Sequence, residues 1–493
     1  MIIEPGMAAA GTSSSPSSRE REAAGSRKVL ITGGRAPAAL ELARLIAAAG
    51  WQVYAAESAA HHLCRVSRAV TRSFAVPSPA KDVAGFVAAL ADIVQREGIE
   101  LLIPTCEEIF YVSAGLERLG RLCQVFAPPL QQLRMLHSKW EFIRRAEELG
   151  LTVPATRLIR SPQEWAEVAA AGTATKVKAM AKDSGTTAKA METLAVEEAA
   201  MEAAVAADAE TGRAASFEGG YVLKPEFSRF ASKVRFMNKD TKTKRKPMLK
   251  LKSKSKSKSN PLLDGLPEAE FSWVAQQFVR GRSICTYSVV QDGQLAAHAA
   301  YETKYSAGGG ACIYFEPLFH QQVLDWVRRF VQMERFTGQI AFDFIETEEG
   351  QVYAIECNPR ATSGIHLFRP EDGLAQAFMQ SGMSDGSDVY DRFESAKPDK
   401  VAKDFIEPQP GIRRMLSLPM LAYGMSGIRS WRELLQRVKQ YAAAQDAVFR
   451  WNDPRPCFEQ LLMLRELWKI ASSKRITLME ASTLDIEWNG EPL

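Results

Sequence analysis

The stretch Gln339-Ile-Ala-Phe-Asp343-Phe-Ile345, a turn at Glu348-Glu349-Gly350, and Val352-Tyr-Ala-Ile-Glu356-Cys-Asn358-Pro-Arg360 together read as a β-hairpin. Two short apolar runs rich in strand formers flank a Gly-containing turn. Asp343 and Glu356 lie 13 residues apart across that turn, so both reach the same end of the hairpin. Glu356 and Asn358 differ by two and share one face of an extended chain. Two carboxylates and an amide oxygen then form a hard-oxygen set, the kind Mg²⁺ takes alongside waters and phosphate oxygens. The plain alternative is a solvated acidic hairpin. The apolar neighbours Phe342, Phe344 and Ile355 argue against it, because an uncompensated carboxylate among them is costly. Arg360 follows, with a planar fork suited to a phosphate or carboxylate.

Lys224 ends the apolar strand Val222-Leu-Lys-Pro225, and Lys139 opens a helix expected over 137–149. Each lysine suits a nucleotide phosphate only in company with the hairpin. The strand Trp273-Val-Ala-Gln-Gln-Phe-Val279, ending at Arg280-Gly281, is expected to offer a free edge to an adenine ring. Strands over 284–290 and 295–301 join at Asp292-Gly293, a good hairpin signal. With a helix over 318–335, the region 271–344 reads as one antiparallel sheet with helices.

The segment Tyr301-Glu-Thr-Lys304-Tyr-Ser-Ala-Gly308-Gly309-Gly310 is a candidate mobile substrate-side loop, since three glycines allow close backbone approach. A plain flexible connection is the competing reading. Of the isolated histidines, His366, just past Arg360, is the one placed to reach a substrate.

In this order, Lys-Pro strand, Gln276-Gln277-Phe278-Val279-Arg280-Gly281, Asp343, then Glu356-Cys-Asn358-Pro-Arg360, the sequence resembles the ATP-grasp carboxylate–amine ligases, in the branch similar to the carbamoyl-phosphate synthetase large chain. The resemblance implies an α/β plus α+β architecture. A Rossmann-like pre-ATP-grasp domain (27–135) would precede an ATP-grasp fold (136–370) and a helical C-terminal extension (371–493). It implies ATP and Mg²⁺ (or Mn²⁺) as cofactors. Lys139 and Lys224 would sit on the nucleotide phosphates, Gln276, Gln277, Phe278 and Val279 on the adenine. Asp343, Glu356 and Asn358 would be metal ligands, and Arg360 the catalytic arginine. The implied reaction phosphorylates a carboxylate or enol of a small acid and couples it, through an acyl phosphate, to an amine or amino acid. The usual ribose-binding Glu after the hinge is replaced by Arg282-Ser283. The rival expectation is a catalytically reduced ATP-binding scaffold or regulatory protein with a basic partner-binding loop.

The N-terminal third reads as strand, turn, helix and strand (28–31, Thr32-Gly33-Gly34-Arg35, 38–50, 51–55), a parallel α/β unit. Its Gly-Gly turn is not GxGxxG, so an NAD-linked oxidoreductase is disfavoured. The chain has 493 residues, 62 Lys/Arg and 58 Asp/Glu, for a net charge of +4. Residues 239–258 hold ten Lys/Arg and one Asp, so the rest carries a net charge of −5. Charge concentrated in one Lys/Ser run is expected in a solvated loop, and a nucleic-acid partner is not expected. Low-complexity insertions are expected over 172–215 and 239–270, a helix over 163–171, and a disordered lead-in over 1–26. Seven scattered cysteines without CxxC pairing fit reduced thiols in the cytoplasm. No apolar run is long enough for a membrane span.

Overall fold

Lys28–Thr32 (β1), Gln52–Glu57 (β2), Arg72–Ala75 (β3), Leu101–Ile103 (β4) and Gln124–Val125 (β5) form an all-parallel sheet in the order β3-β2-β1-β4-β5. The apolar runs Val29-Leu-Ile31 and Leu101-Leu-Ile103 are buried on both faces, as parallel strands require. This computed structural model describes residues 26–161, 164, 220–227, 234–238, 272–307, 310–379, 405–491 and 493. The expected lead-in up to 25, the helix 163–171 apart from Glu164, the insertion 172–215, the whole of 239–270 with its basic run, and Gly308 and Gly309 lie outside the described residues.

Thr156–Ile159 (β6), Gly220–Pro225 (β7), Arg235–Asn238 (β8) and Trp273–Gln277 (β9) make an antiparallel sheet, order β6-β9-β7-β8. Arg282–Gln291 (β10), Gln294–Glu302 (β11), Gly338–Glu346 (β13) and Val352–Asn358 (β14) make another, order β11-β10-β13-β14. The region 271–344 is therefore split between two sheets instead of one. The chain changes sheet at Gly281, where a Cβ would stand 2.0 Å from the carbonyl oxygen of Glu346, so only glycine lets the strands cross so closely. The free edge expected of 273–279 is also absent: β9 has β6 on one side and β7 on the other.

The helix Gln321–Met333 lays Trp326 and Phe330 on Phe342 and Phe344, and Phe142 of the helix Lys139–Glu148 joins them. This aromatic cluster buries one face of β13 and leaves Asp343 on the other. A second core runs without a break from the helix Pro37–Ala48 to Tyr287, Val289, Ile365 and Phe368, so the parallel sheet is packed against β10 and β11.

Beyond 405 the chain supplies the helices Trp431–Ala443 and Arg455–Lys474. It also supplies two-residue strands, Arg414–Met415 (β15) and Gln445–Asp446 (β16), that complete a small sheet with Tyr314–Phe315 (β12). It then returns to the first sheet. Asp453 pairs with Arg44 at 2.9 Å, Asp485 with Arg35 at 2.6 Å, and Trp488 stacks on Phe110. Among the described residues, no helix is long and apolar enough to cross a membrane.

Ser288 and His298 face each other across β10 and β11 with Oγ and Nδ1 2.9 Å apart. Burial, with a smaller push from Arg328, lowers the imidazole from 6.5 to about 4. The unfolded chain takes up this proton near 6.5 and the folded chain only near 4. Stability from this site is complete above pH 6.5 and declines as pH falls toward 4, by roughly 3 kcal/mol at most. Chemical denaturation at pH 7 and pH 4.5 should show this loss in the parent protein and a clearly smaller loss in His298→Gln.

Candidate active site

The two carboxylates meet because of a one-residue irregularity. Asp343 pairs with Glu356, whereas Phe344 pairs with Ala354, leaving Ile355 as the extra residue of a β-bulge. Had the register from the turn continued unbroken, Ile355 would oppose Asp343 and Glu356 would oppose Phe342, on the other face. A bulge of this kind bends the strand locally and re-aims a side chain. Beyond it, Ala341 pairs with Asn358, so Asp343, Glu356 and Asn358 stand on one face.

Asn358 Nδ2 donates to Asp343 Oδ2 at 3.4 Å, and Arg360 Nη2 donates to Asn358 Oδ1 at 3.0 Å. Burial, together with the negative charge of Glu356, pushes the Asp343 carboxyl up to about 6. Two adjacent carboxylates and an amide are a donor set that a hard divalent cation fits, and such an ion would relieve their repulsion. Among the described residues, no three His, Cys, Asp or Glu side chains gather as metal ligands; the third oxygen would come from Asn358, whose Oδ1 here accepts from Arg360 and would have to turn toward Asp343. On the other side of Asp343, β10 presents Cys285, whose thiol is pushed up by burial and by the Asp343 charge and stays protonated.

Both lysines arrive at the same carboxylates. The helix expected over 137–149 is Lys139–Glu148; a separate helix, Leu130–His137, precedes it, and Ser138 between them caps the second, its Oγ accepting from Glu141 N. Lys139 therefore occupies the first turn of a helix, where the macrodipole disfavours a cation. It is nonetheless buried, with Nζ 3.8 Å from Glu356 Oε1 and donating to the Glu226 carbonyl at 3.4 Å. Lys224, at the end of β7, is buried too, and its Nζ donates to Gln276 Oε1 at 2.8 Å. Burial lowers its pKa, and Lys139 adds to that; Glu356 and Asp343 oppose it.

Gln276 thus has a different place from the expected one. It is buried, positions Lys224, and donates to the Ile355 carbonyl at 3.4 Å beside the bulge. Gln277 N donates to the Ala155 carbonyl and Phe278 N to the Gly220 carbonyl, so their amides are used in the sheet. Val279 follows at the point where the chain leaves β9 for Gly281. Arg282 is held by Glu346, with Nε 2.9 Å from Oε2.

The expected substrate residues His366 and Lys304 each face a carboxylate other than Asp343 and Glu356. His366 is 1% exposed, stacks near Phe315, and has Nδ1 3.6 Å from the buried Glu41 carboxylate, so it belongs to the packing between the sheets. Lys304 binds Glu316 at 2.7 Å, two residues after Glu302 closes β11, and Gly310 N donates to the Ala307 carbonyl.

Sequence reasoning missed Glu107. Strand β4 runs into Pro104-Thr-Cys-Glu-Glu108, at the carboxyl end of the parallel sheet beside β1, where strand order reverses and open α/β sheets place their ligand crevice. Glu108 ties the loop down, accepting from Thr32 Oγ1, Thr105 N and Cys106 N. Gly33, at φ 73°, must lack a Cβ, which would stand 2.8 Å from that carboxylate. Glu107, fully buried, has Oε1 3.8 Å from Arg360 Nε. Paired acids just past a parallel strand were the available signal. The site therefore gathers Lys139, Lys224 and Arg360 with Asp343, Glu356 and Glu107.

Among solved structures, the chain is similar to the N5-carboxyaminoimidazole synthetase from Staphylococcus aureus complexed with ADP: 12% identity, TM-score 0.47, 71% of this chain and 77% of that one covered. It is similar to the L-amino acid ligase from Bacillus licheniformis at 11% identity and TM-score 0.46, covering 71% and 74% of the two chains. A third is the biotin carboxylase domain of the Hydrogenobacter thermophilus 2-oxoglutarate carboxylase with MgADP, ADP and bicarbonate, at 12% identity and TM-score 0.46 over 71% and 68%. No protein-family model and no curated protein matches the sequence.

Proposed function

We propose that the chain is an ATP- and Mg²⁺-dependent ligase of the ATP-grasp kind, activating a carboxylate or enol of a small acid and joining it to an amine or amino acid. The observation that carries this reading is the bulged pairing of Asp343 with Glu356, with buried Lys139 3.8 Å from Glu356 and the charge of buried Lys224 felt by both carboxylates. When bound, the divalent ion supplies charge neutralisation for phosphate oxygens, and Asp343, Glu356 and Asn358 are the residues that would hold it.

The acid's oxygen attacks the terminal phosphorus of ATP while the bond to the ADP oxygen breaks. The amine nitrogen then attacks the activated carbon, phosphate leaves, and the nitrogen gives up a proton. Such transfer needs alignment and charge stabilisation more than covalent help. Lys139 and Lys224 orient the phosphates. Arg360, held between Asn358 and Glu107, faces the charge that develops on the transferred group.

Purified protein given ATP, Mg²⁺ and pooled acids and amines should release phosphate only when both an acid and an amine are present. ATP binding without phosphate release in any pool would sink the ligase reading in favour of a nucleotide-binding scaffold. Glu107→Gln is expected to lower turnover roughly tenfold, by loosening Arg360, with the ATP concentration for half-saturation unchanged. A rise in that concentration instead would place Glu107 in nucleotide binding.

A further inference from the structure

The strongest unassigned feature is a pocket of about 670 Å³ between Lys304, Tyr314, Glu316 and Arg413 on one side and the helix Trp431–Ala443 on the other. This is a size suited to a small metabolite. Its lining carries Lys304, Arg413, Arg432 and Lys439 against one carboxylate, Glu316, leaving three net positive charges facing one space. Arg432, Leu435 and Lys439 recur at helical spacing, so one face of a single helix forms the wall.

Glu316 fixes the opposite wall. It accepts from Lys304 Nζ at 2.7 Å and Arg413 Nε at 3.1 Å, chiefly the lysine contact holding its carboxyl below the usual range, and so keeps these two cations side by side. One carboxylate cannot neutralise four cations, and an arginine beside a lysine offers a fork and a point charge to an incoming anion.

The chain itself links the pocket to the site above. Lys304 follows Thr303, whose Oγ1 lies 3.3 Å from Cys285 Sγ, and Cys285 is the strand neighbour of Asp343.

We infer that this pocket binds a small organic anion carrying at least two negative groups, and that it holds the distal acidic group of the acid substrate while the reacting carboxylate lies toward Asp343. The second half of this inference rests on the ligase reading, but the pocket's anion binding does not.

The test is calorimetric titration of the full-length chain with citrate, with inorganic pyrophosphate and with acetate, each with and without Mg·ADP. Citrate or pyrophosphate should bind at least tenfold more tightly than acetate. Tighter citrate marks a polycarboxylate as the ligand class, tighter pyrophosphate a phosphorylated acid. Arg413→Gln and Lys439→Gln should each weaken that binding at least fivefold, while Arg121→Gln, on a distant helix end, should leave it unchanged. No binding of either multivalent anion, or equal weakening by Arg121→Gln, overturns the pocket assignment. Multivalent-anion binding that survives intact in a protein lacking ATP turnover would retain the pocket and discard its link to the ligase.

Discussion

Glu356→Gln is expected to lower ATP turnover by about 10³-fold, the loss typical of removing one preorganised charge-stabilising group from a closed site. The substitution keeps the side chain's size but removes half of the carboxylate pair that the bulge brings together. It also removes a negative charge 3.8 Å from Lys139 Nζ. Folding should survive, because Glu356 is 27% exposed at the cleft and packs into no core. Phosphate release and thermal midpoint measured on the same preparation separate the two effects. Turnover within tenfold of the parent would mean that Glu356 holds no metal.

Asp453→Ala should act on the fold alone. Asp453 accepts from Arg44 Nε and Nη2 at 3.0 and 2.9 Å, from Ser67 Oγ at 2.6 Å and from Arg68 N at 3.0 Å. The Arg44 and Asp453 side chains are only 4% and 7% exposed. Deleting the acid strands a buried guanidinium, at a cost of about 3–5 kcal/mol in unfolding free energy. Replacing both partners by apolar residues, as in Arg44→Met with Asp453→Leu, should recover most of that. Denaturant titration reads both; a loss below about 1 kcal/mol for Asp453→Ala would show that the C-terminal segment is not anchored there.

The hairpin that carries Asp343 and Glu356 was legible because strand periodicity and a Gly turn are local signals. The bulge was not, since one extra residue in a paired strand leaves no mark on composition or alternation. The same limit explains Gln276. A glutamine in an apolar strand looks like a ligand contact, yet Lys224, 52 positions earlier, claims its oxygen. Trp273–Gln277 looked like an edge because nothing in its sequence shows that β6 and β7 close on both sides. His366 followed Arg360 closely enough to suggest the site, but the short helix Ser363–Leu367 turns it toward Glu41. Glu107 and the clamps from Asp453 and Asp485 join residues hundreds of positions apart, which only the folded chain brings together.

Binding of Mn²⁺, followed by the loss of its free-ion paramagnetic resonance signal in the presence of ATP, tests the carboxylate pair most directly. The parent chain should take up Mn²⁺ with ATP, and Asp343→Asn should weaken that uptake at least tenfold while circular dichroism shows an unchanged fold. Equal Mn²⁺ uptake by Asp343→Asn and the parent would contradict a cation site built on Asp343 and Glu356.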